Sequence, residues 1–121
     1  MKTILVVDDD PMVLESTRCY LDMKGFRTVC ASDGDEALEL SKHTQIDLAL
    51  IDIFMPKRGG FETIMEINGT FPVIAMSGVT SHRFDPLAFA ESIGARNALS
   101  KPFRPDDMLT AINDILENRP H

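Results

Sequence analysis

Three aspartates, Asp8, Asp9 and Asp10, stand in a row directly after the apolar run Ile4-Leu5-Val6-Val7. This order gathers negative charge where a buried strand would emerge from a sheet. Neighbouring carboxylates at about 4 Å repel by roughly 4 kcal/mol at an effective dielectric near 20. A cation offsets that repulsion, and a hard divalent ion that favours oxygen ligands, Mg2+ above all, is the natural choice. Three more polar residues occupy the same kind of place, each at the end of an apolar run: Asp52 after Leu48–Ile51, Ser77 after Val73–Met76, and Lys101 just past Ala98-Leu99-Ser100. Singly, each reads as a turn residue or a solvated charge. Asp8, Asp9 and Asp52 with Ser77 and Lys101 make three carboxylates, a hydroxyl and an ammonium, and their joint placement at four strand ends is the signal.

Those residues need a scaffold that brings separate strand ends to one edge. The apolar stretches 3–7, 27–31, 47–51, 72–77 and 97–100 read as strands, several with β-branched residues and without polar alternation. Such strands are covered on both faces. Helical patterns lie between them. The first runs from Pro11 to about Met23, with Asp10 as N-cap and Gly25 as its stop. The second starts at Asp33, with Glu36 completing a capping box and Ala37, Leu38 and Leu40 turned wholly or partly inward. The third covers Phe61 to about Ile67, with Phe61, Ile64 and Met65 as its inner face. The fourth starts at Asp85-Pro86, with Phe89, Ala90 and Ile93 on one face and Leu87, Ala88, Glu91 and Ser92 on the other. The fifth runs from Pro105 to about Asn118 on the stripe Met108, Leu109, Ile112, Ile115 and Leu116. Fivefold β-α alternation predicts a parallel sheet with helices on both faces. Ligands of such sheets sit outside the carboxyl ends of the strands.

Composition fits one globular domain spanning 1–121, with 44 % hydrophobic and 26 % charged residues. No apolar run reaches the ~20 residues of a membrane span, and no leader precedes the first strand. The expected setting is the cytosol, away from the membrane. A net charge of −7 argues against direct contact with nucleic acid by this domain. Cys19 and Cys30 lack metal-type spacing and are expected as reduced thiols in or near the core.

The series Val7-Asp8-Asp9, Asp52-x-x-Met55-Pro56, Ser77-Gly78 and Lys101-Pro102-Phe103 resembles the receiver domain of two-component response regulators, in order and spacing across essentially the whole chain. The resemblance implies a flavodoxin-like fold with strand order 2-1-3-4-5. It implies Asp52 as phosphoacceptor. Mg2+ would be held by Asp9, Asp52 and the Phe54 carbonyl, with Asp8 acting through a water. Ser77 and Lys101 would hold the phosphoryl oxygens, and the Lys101–Pro102 bond would be cis. The implied donor is a histidine kinase or phosphotransfer protein. The implied output is a partner or attached domain controlled by the face of the fourth helix, fifth strand and fifth helix. Such a chain is not an enzyme in the ordinary sense, since it catalyses only its own phosphorylation and dephosphorylation.

Some positions depart from the family or stay open. Receivers generally carry Tyr or Phe three residues before the lysine; this chain has Ala98. Leu87 and Ala88, expected to point outward beside Ala98, read either as a docking patch or as scattered exposed apolar residues. Phe103 reads as a plug beneath the fifth helix or as part of a partner surface. Phe54 and Val79, apolar where receivers flank the path of the attacking water, predict slow loss of the phosphoryl group. Two rival readings remain: an Mg2+-dependent phosphatase-like enzyme using Asp8, and a pseudo-receiver that is never phosphorylated.

Overall fold

A computed structural model describes residues 1–53, 59–67, 69–78, 85–101 and 103–117. The strands are β1 (Thr3–Val7), β2 (Arg27–Ala31), β3 (Leu48–Asp52), β4 (Val73–Ser77) and β5 (Asn97–Ser100). They alternate with α1 (Pro11–Met23), α2 (Gly34–His43), α3 (Gly60–Ile67), α4 (Pro86–Ser92) and α5 (Pro105–Glu117). All four pairings are parallel, and the order is β2-β1-β3-β4-β5, as expected. β1, β3 and β4 are buried along their whole length, which explains their unbroken apolar sequences.

The sheet has a core on each face. One holds Leu5, Val7, Ala49, Ile51, Val73 and Ala75 against residues of α2, α3 and α4, such as Ala37, Ile64 and Ala90. The other holds Ile4, Val6, Leu48, Leu50, Ile74 and Met76 against Leu21 of α1 and Met108, Ala111, Ile112 and Ile115 of α5. The alternation along each strand is the two-residue period of a β-strand.

The helix starts follow their capping residues. Asp10 accepts from the Met12 amide at 2.9 Å, Asp33 from Glu36 at 2.9 Å, and Asp85 from Leu87 and Ala88. Each side chain satisfies amides that the first turn leaves without a helical partner. Gly25 takes φ 92° just after α1, a conformation that costs other residues strain.

Several inner faces differ from expectation. In α3 the inward residues are Gly60, Thr63, Ile64 and Ile67, whereas Met65 is 55 % exposed. The helix begins one residue earlier and sits closer to the sheet than a Phe61-Ile64-Met65 face would allow. In α4, Leu87 is not an outward residue, since it packs against the core beside Ile93. Phe89 is the more exposed one, at 42 %. Cys19 is exposed on the outer side of α1; Cys30 is half-buried in β2. Among the described residues no helix is long and apolar enough to cross a membrane.

Candidate functional site

The carboxyl ends of β1, β3 and β4 place Asp8, Asp52 and Ser77 on one edge. Asp52 and Ser77 are the last residues of their strands, and Asp8 directly follows β1. The register sets Asp52 beside Met76, so Ser77 projects one residue further along the neighbouring strand. β5 ends beside Ser77, where the Lys101 amide donates to the Ser77 carbonyl at 2.8 Å. The Lys101 stem passes Gly78 closely, since a Cβ there would lie 3.5 Å from the lysine Cβ. These constraints aim the ammonium back over the sheet edge.

Lys101 Nζ donates to Asp8 Oδ2 at 3.0 Å and to Asp52 Oδ2 at 3.3 Å. Asp8 is 1 % exposed, and its other oxygen accepts from the Asp10 amide at 3.0 Å. Both Asp8 oxygens are therefore engaged, as a buried carboxylate requires. Asp52 is also buried, and Asp9 is exposed at the rim. Burial pulls the Lys101 pKa down, but the Asp8 hydrogen bond and the charges of Asp52 and Asp8 outweigh it and hold the ammonium above its ordinary value.

One oxygen from each of Asp8, Asp9 and Asp52 lies within 4.8 Å of the others. Three carboxylates against one ammonium leave the pocket net negative. Hard oxygen donors at this separation can be spanned by a small divalent cation, directly or through its waters. The structure thus brings together Asp8, Asp9, Asp52 and Lys101, with Ser77 on the adjoining strand end. Asp10, third of the acidic run, turns away to cap α1. Phe54, Met55, Pro56, Val79 and Pro102 lie outside the described residues, and with them the expected carbonyl ligand, the water-flanking pair and the cis bond.

Two features were not anticipated. Gly60 fits so tightly against the end of β3 that a Cβ would press on Ile53 Cα and come within 2.6 Å of the Asp52 carbonyl oxygen. The Gly60 amide also donates to the Ile53 carbonyl at 3.2 Å. The sequence signal was the Gly59-Gly60 pair just before the α3 apolar run. The other feature is a cleft of about 350 Å³ walled by Val13, Tyr20, Lys101, Phe103, Pro105 and Met108. Phe103 packs partly on the core beneath α5, as the plug reading expects, and it also lines this cleft.

Residues 4–113 match the family described as the response regulator receiver domain. The transcriptional regulatory protein CpxR of Escherichia coli K12 is 36 % identical over 118 residues, covering 96 % of this chain and 50 % of that protein. The chain spans about half the length of such relatives. A CheY-like receiver domain structure from Methanospirillum hungatei aligns with TM-score 0.89 and 30 % identity, over 97 % of this chain and 94 % of that one. The response regulator TrrA of Thermotoga maritima, solved with Mg2+ and beryllofluoride, aligns with TM-score 0.82 and 30 % identity, over 96 % of this chain and all of that one.

Proposed function

The chain belongs to the response regulator receiver family of two-component signalling, and on that premise we propose that Asp52 is its phosphoacceptor. The observation that carries this is the Lys101 ammonium bridging Asp52 and Asp8 at the strand ends. Asp52 has a carboxylate at the tip of a central strand, with a cation beside it and two acidic neighbours within ligand distance of one metal ion.

Its carboxylate oxygen forms a bond to phosphorus while the bond from phosphorus to the donor breaks. The donor keeps that electron pair, and for a phosphohistidine it is the imidazole nitrogen. The product is an acyl phosphate. Lys101, already held charged, takes a phosphoryl oxygen in place of an Asp52 oxygen. The Ser77 hydroxyl, at the end of the neighbouring strand, would take another. The donor set fits Mg2+: Asp9 and Asp52 would hold it with the Phe54 carbonyl, and Asp8, whose oxygens are both engaged, would act through a water. Mg2+ supplies charge neutralisation to the transferring phosphoryl group. The Asp8-nucleophile reading fits less well, because Asp8 is 1 % exposed and committed to Asp10 and Lys101.

The signal leaves through the face of α4, β5 and α5, toward a partner or an attached output domain. Driving a two-state balance from 1:99 to 99:1 takes about 5.5 kcal/mol. Two or three charge-assisted hydrogen bonds at about 1.5–3 kcal/mol each supply that if they form only in the phosphorylated state. The donor would be a histidine kinase or a phosphotransfer protein.

The test is incubation with Mg2+ and acetyl phosphate, read by intact mass. Wild type gains one phosphoryl group and Asp52→Asn gains none. Equal gain by both proteins overturns the assignment.

A further inference from the structure

We propose that Phe61 and Phe89 form an aromatic latch between α3 and α4, worked from Asp52 through Gly60; this rests on Asp52 being the phosphoacceptor. The rings meet edge to face, with centroids 4.9 Å apart and planes at 87°. That is the preferred geometry for a ring quadrupole pair. Phe61 is half-buried against the core, and Phe89 stands 42 % exposed on α4. A second point of approach lies at the far end of α4, where a Cβ on Gly94 would meet Ile64 Cγ2 of α3 at 3.8 Å.

The first turn of α3 has no slack against the acceptor. Gly60 abuts the Asp52 carbonyl and the Ile53 backbone and is hydrogen-bonded to Ile53. Phe61 is the next residue. The contact is with the main chain, so a shift of the β3 end when Asp52 is modified is handed on to α3 by the backbone, because packed interiors shift between discrete arrangements. The displacement reaches the Phe61 ring within one residue and Phe89 by contact. On the sheet side of α4 the chain offers little alternative. Leu99 packs on the α1/α5 face, so by alternation Ala98, level with Ala75 of β4, faces the α4 layer with a single methyl.

The latch belongs to the unmodified state, so opening it and modifying Asp52 favour each other. Linkage makes this reciprocal. Removing the exposed ring by Phe89→Ala strengthens beryllofluoride binding in the presence of Mg2+ by about two- to tenfold, the span available to an edge-to-face pair. A fluorophenylalanine at position 89 reads the latch directly. Its fluorine resonance shifts when beryllofluoride saturates the wild-type site, and in Phe61→Leu that shift falls below half. The amides of Ile53 and Ser77 report occupancy of the site in the same samples. If those amides respond while the fluorine signal and the Phe89→Ala affinity do not, the latch is overturned and the acceptor reading stands. If the amides do not respond, the acceptor reading fails and the latch falls with it.

Discussion

Asp9→Asn makes the protein more stable without metal and less stable with it. Oxygens of Asp8, Asp9 and Asp52 lie within 4.8 Å of one another, and Lys101 bridges only Asp8 and Asp52 of the three. Asp9 thus faces a group of net charge −1. At that distance the repulsion is roughly 3.5 kcal/mol at a dielectric of 20 and about 0.9 kcal/mol in bulk water. Asp9 is exposed, which places it near the lower end, so neutralising it stabilises the metal-free fold by about 1–2 kcal/mol. A metal ion bound only to the native state adds about 2.7 kcal/mol at a hundred times its dissociation constant. Asn at position 9 forfeits most of that, so wild type overtakes it by about 1 kcal/mol in saturating Mg2+. Urea denaturation in chelator and in Mg2+ measures both states. With a slope of about 1–3 kcal/mol per molar, the midpoints separate by about 0.5–1 M and exchange order. A variant that is weaker without metal, or that keeps the full Mg2+ increment, refutes the charge-cluster argument.

Other consequences are equally direct. Gly60→Ala forces the β3–α3 junction apart and costs about 1–3 kcal/mol in chemical denaturation, as overpacking does; an unchanged midpoint would mean that the junction has room. The Tyr20 hydroxyl donates to Asp106 at 2.9 Å, tying α1 to α5. Burial, then this bond and the Asp106 charge, hold its pKa above the ordinary 10.0. The folded state keeps that proton longer than the unfolded one. Its stabilisation is therefore complete below pH 10 and fades as pH rises through the raised value. Alkaline denaturation of Tyr20→Phe should lack that component of the decline. Thiol alkylation near pH 8 modifies Cys19 well before Cys30, because Cys19 is exposed whereas burial pushes the Cys30 thiol up. Equal rates would contradict the placement of β2 under α1.

The sheet and its acidic edge were legible because their signals are local and repeated. Each buried strand is an unbroken apolar run, and each candidate site residue ends or closely follows a strand. Caps at Asp10, Asp33 and Asp85 marked helix starts within a residue. The short helices were harder. Across the seven residues of α4 a helical wheel offers only two or three inward positions, and it put Leu87 on the wrong side. In α3 the deciding fact was backbone contact by Gly60, which drew Thr63 inward and left Met65 in solvent. Apolar periodicity does not register a residue chosen for having no side chain. The Tyr20–Asp106 bond joins residues 86 apart in sequence and has no local signature. Composition alone puts Cys19 in or near the core, whereas its place on α1 leaves it exposed.

The most direct measurement is to locate the modified residue after reaction with Mg2+ and acetyl phosphate. Borohydride reduces an aspartyl phosphate to homoserine, and peptide sequencing then identifies the position. Homoserine at residue 52 alone is the predicted result. Homoserine at residue 8 or 9, or an intact Asp52 in a phosphorylated protein, would contradict the account.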